Sequence, residues 1–310
     1  MRRLTYILLL MSSVLVAQTA RESVEFNWVN KSEKSFKGAQ HHTFYSQANK
    51  AEIGFNVYLP EHYQKNSNSR YPVIYVLHGG GGNESSGLTR IRSLELAMKK
   101  KLIPPTILVM PNGGKGSVYL DSFDGSYMVK TMIIKELIPH VDKNFRTIAE
   151  SRARAIQGFS MGGSGSTKLA LLHPHIFSSF TNFAGSGLLR VDFDPSDQNQ
   201  TRKIRYFAPK HRMLGDDPEF WKENIGYAIV EKNREIISEK LGIRIVFGKK
   251  DKGLQGAQEF STFLKSLKID HEFDLHEGGH NWGTEKNALD TYAFHNKHFK
   301  LSEQELQNLK

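Results

Sequence analysis

Apolar residues along this chain alternate between short continuous runs and longer stretches at helical period. Tyr71–Leu77 and Thr106–Met110 are largely apolar and rich in β-branched residues, the pattern of strands buried on both faces. Arg154–Gly158, Phe180–Phe183, Ile243–Phe247 and Glu272–Leu275 read as further strands. Between them Ile91–Lys101, Ser164–Leu172, Ala257–Leu267 and Ala288–Phe299 read as helices. Val129, Ile133, Leu137, Val141 and Phe145 recur at helical spacing across Tyr127–Phe145, with Pro139 expected to kink that helix. Ahead of these, Glu25–Trp28, His42–Ser46 and Gly54–Leu59 read as strands, an N-terminal hairpin extending the sheet antiparallel. Strands alternating with helices predict an α/β fold: a mostly parallel central sheet with helices on both faces.

Two segments fall outside this alternation. Residues 187–241 lack strand patterning and carry helical pieces around Trp221 and Ile229. Residues 1–20 open with Arg2 and Arg3, run apolar from Tyr6 to Val16 and end in small and polar residues. That is the pattern of a cleavable signal peptide, and it predicts export to the periplasm or the exterior. No other stretch is apolar for long enough to span a bilayer, so no membrane partner is expected after cleavage. No repeat or low-complexity linker divides residues 21–310, which read as a single domain.

Composition narrows the chemistry. The chain of 310 residues has no cysteine, which excludes thiolate metal sites, disulfides and cysteine nucleophiles. Its net charge of +10 is scattered and accompanies no nucleic-acid-binding motif, so no nucleic-acid partner is expected. Lys203, Arg205, Lys210 and Arg212, in the basic stretch 202–212, read as a solvated face, with contact to uronate or phosphate groups as the alternative.

The most informative motif is Gly158-Phe159-Ser160-Met161-Gly162, set between a predicted strand and a predicted helix. A serine there sits on a sharp turn that pushes its hydroxyl outward, and glycines flank it because the turn leaves no room for Cβ atoms. An activated serine needs a base, and the base needs an orienting acid; in this architecture the chain order is Ser, acid, His. Asp251 follows the strand Ile243–Phe247 across Gly248-Lys249-Lys250 and is the candidate acid. Glu277 is its rival, and Asp274, inside a strand, reads as structural. His280 follows the last strand behind Gly278-Gly279 and is the candidate base; His295 and His298 read as surface or packing residues.

An acyl intermediate also needs two N–H donors for its oxyanion. Met161, at the start of the elbow helix, is one candidate. Gly80 and Gly81, in His78-Gly79-Gly80-Gly81-Gly82 directly after the strand Tyr71–Leu77, are the others. Trp282 beside the base, and Tyr119 and Asp121 after the turn Pro111–Gly114, are candidate substrate contacts, with packing and loop anchoring as alternatives. The chemistry is serine acyl transfer, requiring no metal or organic cofactor.

Four blocks carry a family resemblance: Asn56–Pro60, Tyr71–Gly80, Gly158–Gly163 and Gly278–Trp282. In that order they resemble the esterase family of the α/β-hydrolase superfamily. It holds esterase D-like enzymes, feruloyl and acetyl-xylan esterases of the first carbohydrate-esterase family, siderophore esterases and mycolyltransferases. The resemblance spans about residues 41–298 and implies that Ser160, Asp251 and His280 form the family's triad, with segment 187–241 where the family builds its pocket lid. It implies a secreted serine esterase releasing ferulate or acetate from acylated plant polysaccharide or oligosaccharide. The alternatives are an acyltransferase or siderophore esterase on the same fold, or a carbohydrate-binding homologue without catalysis. S-formylglutathione hydrolases are similar but usually cytosolic, which the signal argues against.

Overall fold

A computed structural model describes residues 26–31, 36–61, 63–64, 68–186, 213, 217–224 and 226–309. The expected signal at 1–20 and the basic stretch 202–212 lie outside the described residues, as does much of 187–241.

Eight strands form one sheet: β1 (Ala39–Ser46), β2 (Ala51–Tyr58), β3 (Val73–Leu77), β4 (Ile107–Pro111), β5 (Arg154–Phe159), β6 (Ser179–Phe183), β7 (Gly242–Gly248) and β8 (Glu272–His276). Their order is β1-β2-β4-β3-β5-β6-β7-β8. The β1–β2 hairpin is antiparallel and joins β4 antiparallel, while every pairing from β4 to β8 is parallel. The fold is the expected mostly parallel sheet with an antiparallel N-terminal hairpin.

Strand alternation divides the core. Val73, Tyr75, Leu77, Ile107, Val109 and Ile156 face a large cluster on one side, while Ile74, Val76, Leu108, Met110 and Ala155 face a smaller one on the other. The smaller cluster is covered by α1 (Arg90–Lys99) and by a C-terminal helix, Glu285–His298. The larger side is covered by a long helix after β4, by the elbow helix and by the helix between β7 and β8.

The long helix has three parts: α2 (Val129–Thr131), a π-helical stretch (Met132–Leu137) and α3 (Ile138–Asn144). Pro139, expected to kink it, lies in the first turn of α3. Proline cannot return an N–H to the carbonyl four residues back, and the ladder ahead of it widens, with Ile138 N–H donating to Ile133 O. The elbow helix α4 (Met161–Leu172) starts three residues earlier than the sequence predicts, because its glycine-rich first turn hides its helical character. Further helices are α5 (Pro218–Glu223), α6 (Gly226–Lys232), α7 (Arg234–Lys240), α8 (Leu254–Ser266), α9 (Glu285–His298) and α10 (Glu303–Asn308). The first two lie around Trp221 and Ile229, as expected.

One expected strand is absent. In Glu25–Trp28 the described residues are not a strand. Trp28 O accepts a single bond from Gly54 N at 2.7 Å, beyond the end of the β2–β4 ladder. Phe26 instead stacks on Tyr127 at 4.2 Å. β4 takes Phe55–Tyr58 on this side of β2, which leaves the segment its contact at Gly54 and no ladder among the described residues.

The site's position follows from the strand order. From β3 the chain crosses to β4 on one side, then returns to β5 on the other. Crevices at such a reversal, at the carboxyl ends of parallel strands, are where α/β sheets bind ligands. There Leu77 pairs with Gly158, so the glycine-rich loop after β3 and the elbow after β5 leave the sheet side by side.

Candidate active site

Ser160 lies between β5 and α4 with φ 56° and ψ −116°. That conformation costs a non-glycine residue about 1–3 kcal/mol and persists only where its surroundings enforce it. Here Ser160 N–H is tied to Phe183 O at 2.8 Å. A Cβ on Gly158 would sit 2.2 Å from Gly162 O, and one on Gly162 would sit 2.3 Å from Leu77 O. Only glycine fits at either position, which is why the pentapeptide reads as it does.

The structure brings Ser160, His280 and Asp251 together from the ends of three strands. His280 Nε2 lies 2.8 Å from Ser160 Oγ, and His280 Nδ1 lies 2.8 Å from Asp251 Oδ2. A carboxylate only accepts, so Nδ1 carries the proton and Nε2 is free to accept from the serine hydroxyl. Asp251 is held in turn, its Oδ1 accepting Gly253 N–H at 2.8 Å. Its side chain is 4% exposed, whereas that of His280 is 50% exposed. Glu277 takes no part: it is 82% exposed and paired with Lys249 at the surface. Asp274 is bound to Arg244 and Asn287, in keeping with a structural residue.

Met161 is the first residue of α4, so its N–H has no acceptor within the helix. Gly80 approaches it, with 4.0 Å between the Cβ position of Gly80 and Met161 Cβ, while a Cβ at Gly81 would meet nothing within 4 Å. Trp282 stacks on Phe159 at 5.4 Å, next to the His280 ring, which lies 4.9 Å from Phe159. The Arg90 guanidinium covers Trp282 at 5.0 Å.

Two candidate substrate contacts are corrected. Tyr119 is completely buried, and its hydroxyl donates to His78 O at 3.0 Å, so it faces the core and not a ligand. Asp121 accepts from Thr131 N at 2.9 Å and Thr131 Oγ1 at 2.8 Å and pairs with Lys130. It anchors the start of the long helix. Among the described residues no three His, Asp or Glu side chains group as metal ligands.

Sequence reasoning missed the support beneath the site. His78 is buried; its Nδ1–H donates to Gly79 O at 2.8 Å and its Nε2 accepts Gly113 N–H at 2.9 Å. It thereby joins the loops after β3 and β4. Burial lowers its pKa to about 4. His295, read as a surface or packing residue, is buried between Ser179 and Thr181, and burial lowers its pKa to about 3. No periodic signal marks either residue; His78 was visible only as part of the glycine motif.

Both histidines are neutral when folded, while the unfolded chain takes up protons below pH 6.5. Their stabilising effect is therefore complete above pH 6.5 and is lost as pH falls toward 4 for His78 and 3 for His295. Urea unfolding at pH 5.5 should give a stability lower than at pH 7.5 by about 1 kcal/mol for each. A stability unchanged over that interval would show that these imidazoles are not held neutral.

The sheet order and the strand–serine–helix elbow define an α/β-hydrolase. A ferulic acid esterase of known structure shares this fold, with a TM-score of 0.70 at 22% identity over 84% of this chain and 98% of that one. The chain belongs to the esterase family described as "Putative esterase", whose pattern matches residues 46–291. An esterase of Mycobacterium tuberculosis (strain H37Rv) is 39% identical over 145 residues, 45% of this chain and 30% of the relative. An endo-1,4-beta-xylanase/feruloyl esterase of Xylanibacter ruminicola is 31% identical over 173 residues, 53% of this chain and 23% of the relative. The chain thus matches less than a third of the length of these relatives.

Proposed function

We propose that the chain is a serine carboxylic ester hydrolase, exported by a signal within residues 1–20, that removes feruloyl or acetyl groups from plant cell-wall polysaccharide or its oligosaccharides. The observation that carries this reading is the unbroken run from Ser160 Oγ to His280 Nε2 and from His280 Nδ1 to Asp251 Oδ2, both 2.8 Å, on a strained elbow.

In this mechanism His280 takes the Ser160 proton as Oγ attacks the ester carbonyl, and Asp251 stabilises the imidazolium. The N–H groups of Met161 and Gly80 or Gly81 receive the oxyanion. His280 then protonates the leaving alcohol, and water, activated by the same imidazole, releases the acid. The half-exposed His280 side chain supports water as acceptor over a sugar, since acyl transfer calls for a drier site. Trp282, with Phe159 stacked on it and Arg90 over its ring, packs as a wall beside the base and offers a ligand its edge, not an open face. The feruloyl assignment draws on the xylanase/feruloyl esterase relative.

The test is product release from feruloylated and acetylated arabinoxylan fragments, followed by chromatography, with Ser160→Ala as control. Ferulate or acetate freed only by the intact serine is the expected result and names the acyl group. Turnover of a simple activated ester without release of either acid would retain the mechanism and reject the plant-polysaccharide substrate.

A further inference from the structure

We propose that Lys168 and Tyr119 are positioning residues that lock the two carriers of the oxyanion donors to each other through one strained turn. This rests on the esterase reading above. The turn is Val118-Tyr119, with φ 49° and φ 54°. Two adjacent non-glycine residues in the left-handed region are unusual, and a β-branched valine there is an outlier that a loop keeps only when its surroundings over-determine it.

The surroundings are specific. Lys168, about two turns along α4 from Ser160, is completely buried, and its Nζ donates to Val118 O at 2.7 Å. Among the described residues no carboxylate pairs with it. Burying an unpaired ammonium is costly, and an apolar side chain would fill the same space without that cost. The hydrogen bond to the turn is what the lysine adds. From the clamped turn, Val118 N–H points to Met161 Sδ at 3.3 Å. Tyr119 reaches the opposite way, its hydroxyl on His78 O at 3.0 Å. Its ring is wedged between Gly113 and Gly165, where a Cβ would come within 2.2 and 2.4 Å of it.

One turn therefore grips the elbow through Met161 and the glycine-rich loop through His78. Those are the two places from which the oxyanion donors come, and such donors work only when held in register with the developing charge. Neither Lys168 nor Tyr119 touches the substrate in this scheme. They act through the spacing of the donors.

The test compares wild type, Tyr119→Phe, Lys168→Met and Lys168→Met/Val118→Gly with p-nitrophenyl acetate as substrate and phenylboronic acid as a tetrahedral-adduct inhibitor. Tyr119→Phe keeps the ring in place and removes one bond. It should lower kcat about tenfold with KM within about twofold, and weaken the boronate by a similar factor, with Tm little changed. Lys168→Met should do the same, and Val118→Gly should restore part of its kcat, because glycine holds a left-handed turn without a clamp. If Lys168→Met does not fold, Tyr119→Phe alone decides. An active wild type whose Tyr119→Phe variant matches it in kcat and boronate affinity overturns the clamp and leaves the esterase reading intact. A loss of kcat that follows Tm, with boronate affinity unchanged, also overturns it. A wild type inert toward the ester and the boronate overturns the esterase reading, and the clamp with it.

Discussion

Ser160→Ala should lower kcat for an activated ester by about 10,000-fold or more while leaving the fold intact. Among the described residues the serine hydroxyl makes one side-chain bond, to His280. His280→Ala should cost as much, since nucleophile and base act as a unit and their losses do not add. Asp251→Asn keeps the volume and the bond from Gly253, yet an amide turned toward Nδ1 stabilises the wrong tautomer, and a loss of about 10,000-fold is expected. Glu277→Gln should be kinetically silent, because among the described residues that carboxylate meets Lys249 alone, at the surface. Steady-state kinetics on the four variants, with circular dichroism to check folding, decides the matter. An active Ser160→Ala, or an inactive Glu277→Gln beside an active Asp251→Asn, would overturn the assignment.

Gly162→Ala, like Gly158→Ala, should rank among the most damaging single methyl additions at the described glycines. Its Cβ would lie 2.3 Å from Leu77 O and 2.6 Å from Leu77 C, both backbone atoms of a central strand. A flexible side chain would move aside, but here α4 must slide or β3 must bend. A destabilisation of about 3 kcal/mol is expected, or a fall in Tm of roughly 6–12 °C. Activity should fall further than stability, because the displaced helix start carries Met161. Gly256→Ala is the internal control: a Cβ there meets nothing within 4 Å. Calorimetry showing equal Tm for the two variants would mean that the elbow is softer than its contacts indicate.

Much of this was legible in the sequence because it was written in period and punctuation. Val73–Leu77 and Ile107–Pro111 are buried throughout, so their continuous apolar runs identified them directly. Asp251 and His280 were found by their place after late strands, a rule of topology. What stayed hidden depends on tertiary neighbours. Glu25–Trp28 reads as a strand, but nothing local reveals that β4 already takes Phe55–Tyr58 on the side of β2 that the segment meets. Tyr119 and Asp121 sit in the loop where substrate contacts are expected, and only burial and partners show that they serve the scaffold. Lys168 looks like an ordinary solvent-facing lysine in a helix, because burial of a lysine leaves no mark in composition.

The pairing of Leu77 with Gly158 has a thermal consequence. Among the described residues, the carriers of the nucleophile and the oxyanion donors hang from adjacent central strands, joined by backbone pairing and by the turn Val118-Tyr119. Warming is therefore expected to loosen these parts together with the sheet and not ahead of it. Heat inactivation and global unfolding should then coincide.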